Sequence, residues 1–349
     1  MPNPTVSVIV PIYNTAERLP NCLDSLVGQT LEAMELILID DGSTDDSLAV
    51  CRRYEARYPD KIKVISGPNG GVCVARNKGL DAATGTWIAF CDSDDCVSKD
   101  IYKILVDNAL AAHAEMSSCA LHDTHYKGVD VIATPFNYSG HVQLDDHKQI
   151  VDAFFMPLLR GSADAHGFPV IHLFKRDIIE REHIRFIPHI AMMEDELFIL
   201  QYLLYVSRLT AVDTPLYDYL NFDKSACATY YGKRSEHFRE TNWFLRAKEQ
   251  LRIFSMSNLE TDYPGQTDEL VLRMYLHEAQ MHCCDPANSF LKKLSLLYDV
   301  ARRARKDNAA HNPKGKVFWM TLLYATPLLP LLLWAKRTKD TLDAKRHHG

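Results

Sequence analysis

Three carboxylates fall within four consecutive positions of Phe90-Cys91-Asp92-Ser93-Asp94-Asp95, immediately after the apolar run Trp87, Ile88, Ala89 and Phe90. Such a run reads as a buried strand, so the charge gathers where a strand leaves the core. Carboxylates this close repel one another, and a fold keeps them only if a cation or a set of donors offsets the repulsion. Asp92 and Asp94, two apart, can aim at one hard divalent ion, Mg²⁺ or Mn²⁺, whose other positions would go to water and phosphate. The plainer alternative is a solvated acidic turn that ends in a helix cap, common for an isolated Asp-x-Asp. A second acidic group, Glu194-Asp195-Glu196, opens a helical stripe of Met193, Leu197, Leu200 and Leu204. The helix dipole favours acids in a first turn, so a structural role suffices there. The same dipole would hold a carboxylate ionised, as a general base requires, and periodicity does not choose among the three acids.

The elements that must position these groups alternate regularly. Val6 to Val10 is a β-branched apolar strand broken by Pro11-Ile12-Tyr13-Asn14, after which Leu19, Leu23 and Leu26 recur at helical spacing. Asn14 and Glu17 have the spacing of a capping box. A second strand, Glu35 to Asp40, ends in Asp40-Asp41-Gly42-Ser43-Thr44-Asp45 and leads into a helix with Leu48, Cys51 and Tyr54. A third, Ile62 to Ile65, is followed by Gly67-Pro68-Asn69-Gly70-Gly71 and a helix through Arg76 and Leu80; the Trp87 run is the fourth. This alternation implies right-handed βαβ crossovers and an open, mostly parallel α/β sheet with flanking helices.

Ligands of such sheets bind beyond the carboxyl ends of the strands, and four polar loops converge there. Each has a task in holding a nucleoside diphosphate. Tyr13 offers a flat face to a base, and Asp41 can accept from an imino N–H, which uracil has and cytosine lacks. Gly70 and Gly71 let backbone approach the ligand, and Arg76 can pair with phosphate or position an aspartate. Neither a P-loop nor a Gly-x-Gly-x-x-Gly turn is present, which disfavours a dinucleotide enzyme.

On these residues the chain resembles the family 2 glycosyltransferases of GT-A fold. The resemblance rests on Val-Ser-Val-Ile-Val-Pro-Ile-Tyr-Asn, Leu-Ile-Leu-Ile-Asp-Asp-Gly-Ser-Thr-Asp, Gly-Val-Cys-Val-Ala-Arg-Asn-Lys-Gly-Leu and Phe-Cys-Asp-Ser-Asp-Asp, in order and spacing over residues 5 to 115. A weaker likeness to the bacterial capsule and lipooligosaccharide branch extends through Leu173-Phe174-Lys175-Arg176, Met193 to Phe198 and Pro215 to Tyr219, to Thr229. The resemblance implies an inverting, metal-dependent transferase, of the hexosyl or N-acetylhexosaminyl class, using a nucleoside diphosphate sugar that is commonly uridine-linked. Carried over, Pro11, Tyr13, Asn14 and Asp41 would hold the nucleotide together with Gly71, Arg76, Asp92, Ser93 and Asp94, and Asp92 and Asp94 the metal. Asp195 would be the catalytic base, with Asp40, Asp95 and Glu194 as additional candidates.

The 349 residues divide, on this reading, into a nucleotide-sugar half (1–120), an acceptor half carrying the base (121–230), a basic helical extension (231–315) and an apolar segment with a basic tail (316–349). In the acceptor half Ser98 reads as the cap of a helix with Ile101 and Leu105, a short strand spans Met116 to Ala120, and Gly161 to Pro169 is a loop bordering the acceptor. His166, His172, His183 and His189 read as packing or surface histidines, and His277, Glu278, His282, Cys283 and Cys284 do not have the spacing of a zinc site. A net charge of −6 argues against nucleic acid as a partner. Nine scattered cysteines, with no signal peptide before Thr5, point to a reduced compartment.

From Val317 to Ala335 the chain carries no charge, but Pro327 and Pro330 would break a spanning helix, and basic clusters flank both ends. The expectation is a monotopic anchor on the anionic cytoplasmic face of a bacterial inner membrane, beside a glycan or glycolipid acceptor, with an oligomer also compatible. Two other classes compete. A nucleotidylyltransferase making the activated sugar would show a basic, Gly-rich stretch after the first strand, where Pro11 to Thr15 stands instead. A non-catalytic nucleotide-sugar-binding protein of the same fold would have no need of intact acidic motifs.

Overall fold

The structure is a computed structural model that describes residues 4–125, 131–134, 141–161, 167–221 and 235–306. The chain divides into two compact units, Met1–Ser225 and Ala226–Gly349.

The first unit opens with the expected alternation. Strands β1 (Val6–Ile12), β2 (Met34–Asp40), β3 (Ile62–Ser66) and β4 (Trp87–Phe90) are joined by helices α1 (Leu19–Val27), α2 (Ser47–Arg57) and α3 (Val72–Ala82). All pair in parallel in the order β3-β2-β1-β4. Except at edge strand β3, where Lys63 and Ser66 are exposed, their residues are buried on both faces because helices cover both, which is why these strands read as continuous apolar runs. Strand order reverses between β1 and β4, so the loops after those two strands flank the crevice where ligands of such sheets bind.

After β5 (Cys96–Val97) and α4 (Ile101–Ala111) the alternation ends. The chain continues through β6 (Met116–His125), β7 (Val131–Thr134), β8 (Val142–Leu144), α5 (His147–Ile150), a π-helical turn, α6 (Met156–Arg160), β9 (His172–Lys175), α7 (Arg176–Arg181), α8 (Glu194–Leu203) and β10 (Leu209–Asn221). Here the sheet is mixed rather than parallel. Four-residue β9 lies antiparallel to both β4 and β6, and β10 runs parallel to β6, extending the sheet to ten strands. A strand that short, apolar on both sides, carries no period of its own and could not be read from the sequence.

Phenylalanines tie α8 to the sheet. Phe186 stacks on Phe198 at 4.3 Å, and Phe90 meets both edge-on at 5.3 and 5.6 Å. Phe90 is the last residue before the acidic loop and Phe198 lies one turn beyond Asp195, so one aromatic cluster fixes both acidic groups. Edge-to-face and offset arrangements of this kind add about 0.5–1.5 kcal/mol per pair beyond burial.

Two expected caps take other roles. Asn14, at φ 54°, accepts from the Thr44 amide at 2.7 Å and ties the first two crossover loops together, while α1 begins only at Leu19. At α4 the cap position belongs to Asp100, and Ser98 contributes only its carbonyl, which accepts from Ile101 N.

The second unit is helical: α9 (Glu236–Ser255), capped by Ser235 Oγ, α10 (Gln266–Cys284) and α11 (Phe290–Lys306). Glu278 takes Arg303 through two hydrogen bonds of 2.6 and 3.1 Å, an ion pair where the sequence raised a soft-metal cluster. Among the described residues no helix is long and apolar enough to cross a membrane, and the segment 317–335 lies outside them.

Candidate active site

The carboxyl rim of β1, β2 and β3 is built around a turn that two aspartates hold. Asp41 is buried and accepts from the amides of Gly70 at 2.9 Å and Gly71 at 2.7 Å, one on each oxygen. Gly71 sits at φ 86°, in the region L side chains rarely adopt, which lets both amides point at one carboxylate. Each Asp41 oxygen keeps a lone pair for a further donor. Asp40 is also buried, accepting from Ser66 Oγ at 2.9 Å and the Ser43 amide at 3.3 Å. Its satisfied position makes it part of the frame. Pro11 stands near the end of β1 and half-exposed Tyr13 on the loop after it, and buried Ser93 accepts from Thr15 Oγ1 at 3.0 Å, joining that loop to the acidic one.

Arg76 on α3 is the hub. Its side chain is 3% exposed, and its guanidinium pairs with Asp92 at 3.1 Å, with Glu194 at 3.3 Å and with Asp195 through Nη1. The Phe186 ring lies 5.2 Å from its Cζ. Two acidic groups about a hundred positions apart in the chain thus meet on one cation. Three carboxylates share that cation, so charge is only partly compensated. Burial pushes the Asp195 carboxyl well above the usual range, Arg76 pulls it back, and Glu194 and Asp92 push it up again. The sequence offered the helix dipole as what would keep one of these three acids ionised; in the structure the Arg76 guanidinium also opposes the rise at Asp195. Of the three acids that open α8, Asp195 is the most accessible, its side chain 25% exposed against 10% for Glu194, while Glu196 is buried.

Asp94 and Asp95 lie on the other side of Asp92. Burial, and then the Asp92 charge, lift Asp94 to about 6, with Arg18 opposing. Burial and the charges of Asp92 and Asp94 lift Asp95 to about 8. Asp95 is nonetheless held: it accepts from Tyr217 Oη at 2.7 Å and the Leu220 amide at 2.8 Å, and Tyr217 Oη in turn accepts from Asp92 N at 3.1 Å. Asp94 has no such donor from another residue among those described, and Asp92 beside it shares Arg76 with two other carboxylates, so the charge of this pair is only partly compensated. That donor set fits a hard divalent cation. Among the described residues no group of three or more His, Cys, Asp or Glu side chains is arranged to hold a metal ion, so ligand and water would have to complete the coordination.

The candidate residues therefore form one constellation on the β1 and β4 side of the rim, with Asp40 and Asp41 in its base. Tyr217, Phe186 and Arg18 belong to it and were missed as site residues. In the sequence Tyr217 stood only within the Pro215 to Tyr219 stretch of the weaker likeness, and neither Phe186 nor Arg18 lies in a motif that would single it out. Of the four histidines, His172 is buried against Ser118 Oγ at 2.7 Å, His183 and His189 are exposed, and His166 lies outside the described residues.

Comparison with known proteins bears on this constellation. The profile of the family described as "Glycosyl transferase family 2" matches residues 7–181. The Bacillus subtilis "uncharacterized glycosyltransferase EpsJ" is 30% identical over 218 residues, 62% of this chain and 61% of that protein. The Borreliella burgdorferi "cholesterol galactosyltransferase" is 30% identical over 222 residues, 63% of this chain and 60% of that protein. The chain thus spans less than two thirds of the length of these curated relatives. The crystal structure of S. aureus TarS in complex with UDP-GlcNAc superimposes with a TM-score of 0.58 at 19% identity, over 87% of this chain and 88% of that one, and shares the fold.

Proposed function

The chain belongs to glycosyl transferase family 2, and on that premise we propose that it transfers a sugar from a uridine diphosphate sugar to an acceptor hydroxyl in a single inverting displacement. The observation that carries this reading is Arg76, which brings Asp92 of the acidic loop and Asp195 of α8 to one point. Acidic groups on two sides of a site are what such a displacement needs: one side for the leaving diphosphate, the other for the incoming hydroxyl.

The acceptor oxygen bonds to the anomeric carbon as the carbon–oxygen bond to the diphosphate breaks, and the electron pair of that bond leaves with the nucleotide. The hydroxyl proton passes to the Asp195 carboxylate. Its accessibility supports this role, and the burial that raises its affinity for a proton strengthens its hold on the one it takes. Arg76 is a positioning residue that holds this carboxylate and Asp92 in fixed relation. Asp41, with a lone pair left on each oxygen, would take the base together with Tyr13 and Pro11, and Ser93 and Gly71 would hold the rest of the nucleotide. Asp92 and Asp94 would hold Mg²⁺ or Mn²⁺, which when bound supplies positive charge against the diphosphate. The apolar stretch 317–335 and its basic flanks support a monotopic anchor on an anionic cytoplasmic leaflet, beside a lipid-linked glycan acceptor.

Calorimetry tests the donor side. UDP should bind in Mn²⁺ and lose most of its affinity in chelator or in Asp94→Asn. Equal binding in chelator would remove the metal from the reading. Recovery of the whole chain in the soluble fraction after lysis at low salt would remove the anchor.

A further inference from the structure

Phe168 is one of the few large apolar side chains the first unit leaves exposed, at 47%, and it does not stand alone: the Tyr219 ring lies 6.3 Å away, tilted by 39°. Topology puts the pair on the reactive rim. Strand β10 runs parallel to β6, and both run in the same direction as β4, so residues later in β10 lie further out on the rim from which Asp92–Asp95 emerge. Side chains alternate along a strand, so Tyr219 shares a face with Tyr217, whose hydroxyl holds Asp95, and Leu220 between them and the loop donates its amide to the same carboxylate. Phe168 precedes antiparallel β9, whose entering end lies on that same rim. Its neighbour Gly167 stands against the first turn of α8: a Cβ there would lie 3.5 Å from Glu196 Cβ, one residue from Asp195. The two rings therefore bridge the ground between the acidic loop and the helix that carries the base.

We propose that Phe168 and Tyr219 form a stacking platform for the acceptor, and that the acceptor is a carbohydrate whose apolar C–H face lies on the rings while its hydroxyl edge turns toward Asp195. Aromatic faces carry a negative quadrupole that attracts polarised C–H groups, and carboxylates at the margin accept from hydroxyls. A sugar has both faces. A lipid or sterol hydroxyl has no polar edge to spend on Asp195 and its neighbours beyond the one oxygen. The proposal rests on the transferase reading and adds to its glycan acceptor the two side chains that hold it.

The test separates the two. Saturation-transfer NMR with UDP and Mg²⁺ present reads contact between protein and the ring protons of short oligosaccharides without requiring turnover. Wild type should saturate those protons, Phe168→Ala should weaken the interaction about 5- to 10-fold, and Phe168→Trp should keep it. UDP affinity should be unchanged in both variants, which also reports that they fold. In parallel, turnover is measured on the same oligosaccharides, a long-chain alcohol and a sterol. An unaltered signal in Phe168→Ala overturns the platform, whatever the turnover. Transfer to the alcohol or sterol but to no sugar overturns the acceptor class and leaves the transferase reading standing. Sugar binding that depends on Phe168 with no transfer from any donor supports the platform and counts against the reaction.

Discussion

Replacing Arg76 by methionine keeps the volume of the side chain and removes its charge. The structure fixes what should follow. Asp92, Glu194 and Asp195 would share a largely buried space with no cation between them. Removing one partner of a buried ion pair costs about 3–5 kcal/mol, because an uncompensated charge stays behind. For a unit of this size each kcal/mol moves the melting temperature by about 2–4 °C, so Arg76→Met should melt about 10 °C below wild type at pH 8. The sign of the pH dependence follows from proton binding. Burial and like charges already raise Asp195 in the wild type, and loss of the guanidinium, which pulls it back, must raise it further. A group whose folded pKa is raised gives its stability below its unfolded value and loses it as pH rises through the folded one. The deficit of the variant should therefore shrink steadily from pH 8 to pH 5, as protons take over the role of the cation. The assay is thermal unfolding of both proteins across that range. A variant that melts with wild type at pH 8, or a deficit that stays constant down to pH 5, would refute the account of Arg76.

Asp94→Asn should melt higher than wild type at pH 8 without metal and together with it at pH 5, because the Asp94 carboxyl titrates at about 6 and its charge is unfavourable only above that. The same variant should lose the rise in melting temperature that Mn²⁺ gives the wild type. Tyr217→Phe removes the hydroxyl between Asp95 and Asp92 N and should cost about 1–3 kcal/mol in unfolding by urea, with UDP binding weakened several-fold. Gly79→Ala would set a Cβ 2.3 Å from Ile9 Cγ2 and should destabilise by about 1–3 kcal/mol, read as a lower urea midpoint with unchanged slope.

The parallel half of the sheet was legible because its strands are buried on both faces and its helices repeat at a regular interval. Acid at a strand end also announces itself: Asp92, Asp94 and Asp95 have no packing reason to follow Phe90. What the sequence could not convey was pairing at long range. Nothing in Val72 to Ala82 says that Arg76 will reach both Asp92 and Asp195, because that contact exists only once Phe90, Phe186 and Phe198 have docked α8 against β4. The choice among Glu194, Asp195 and Glu196 was closed to periodicity for the same reason, since α8 is buried nearly all round and has no polar face to read. Asn14 shows the limit of local rules: its spacing to Glu17 suits a cap, but an amide of the next crossover loop outcompetes the helix for its side chain.

On the proposed reading Asp195 takes the proton of the acceptor while the opposite side of the site holds the nucleotide. Asp195→Asn, assayed for sugar transfer and for UDP affinity in the same buffer with Mn²⁺, tests it most directly. Loss of a general base acts on the transition state, so transfer should fall by about 10²–10⁴ with the dissociation constant of UDP within a few-fold of wild type. Transfer that persists, or transfer and UDP affinity that fall together, would contradict it.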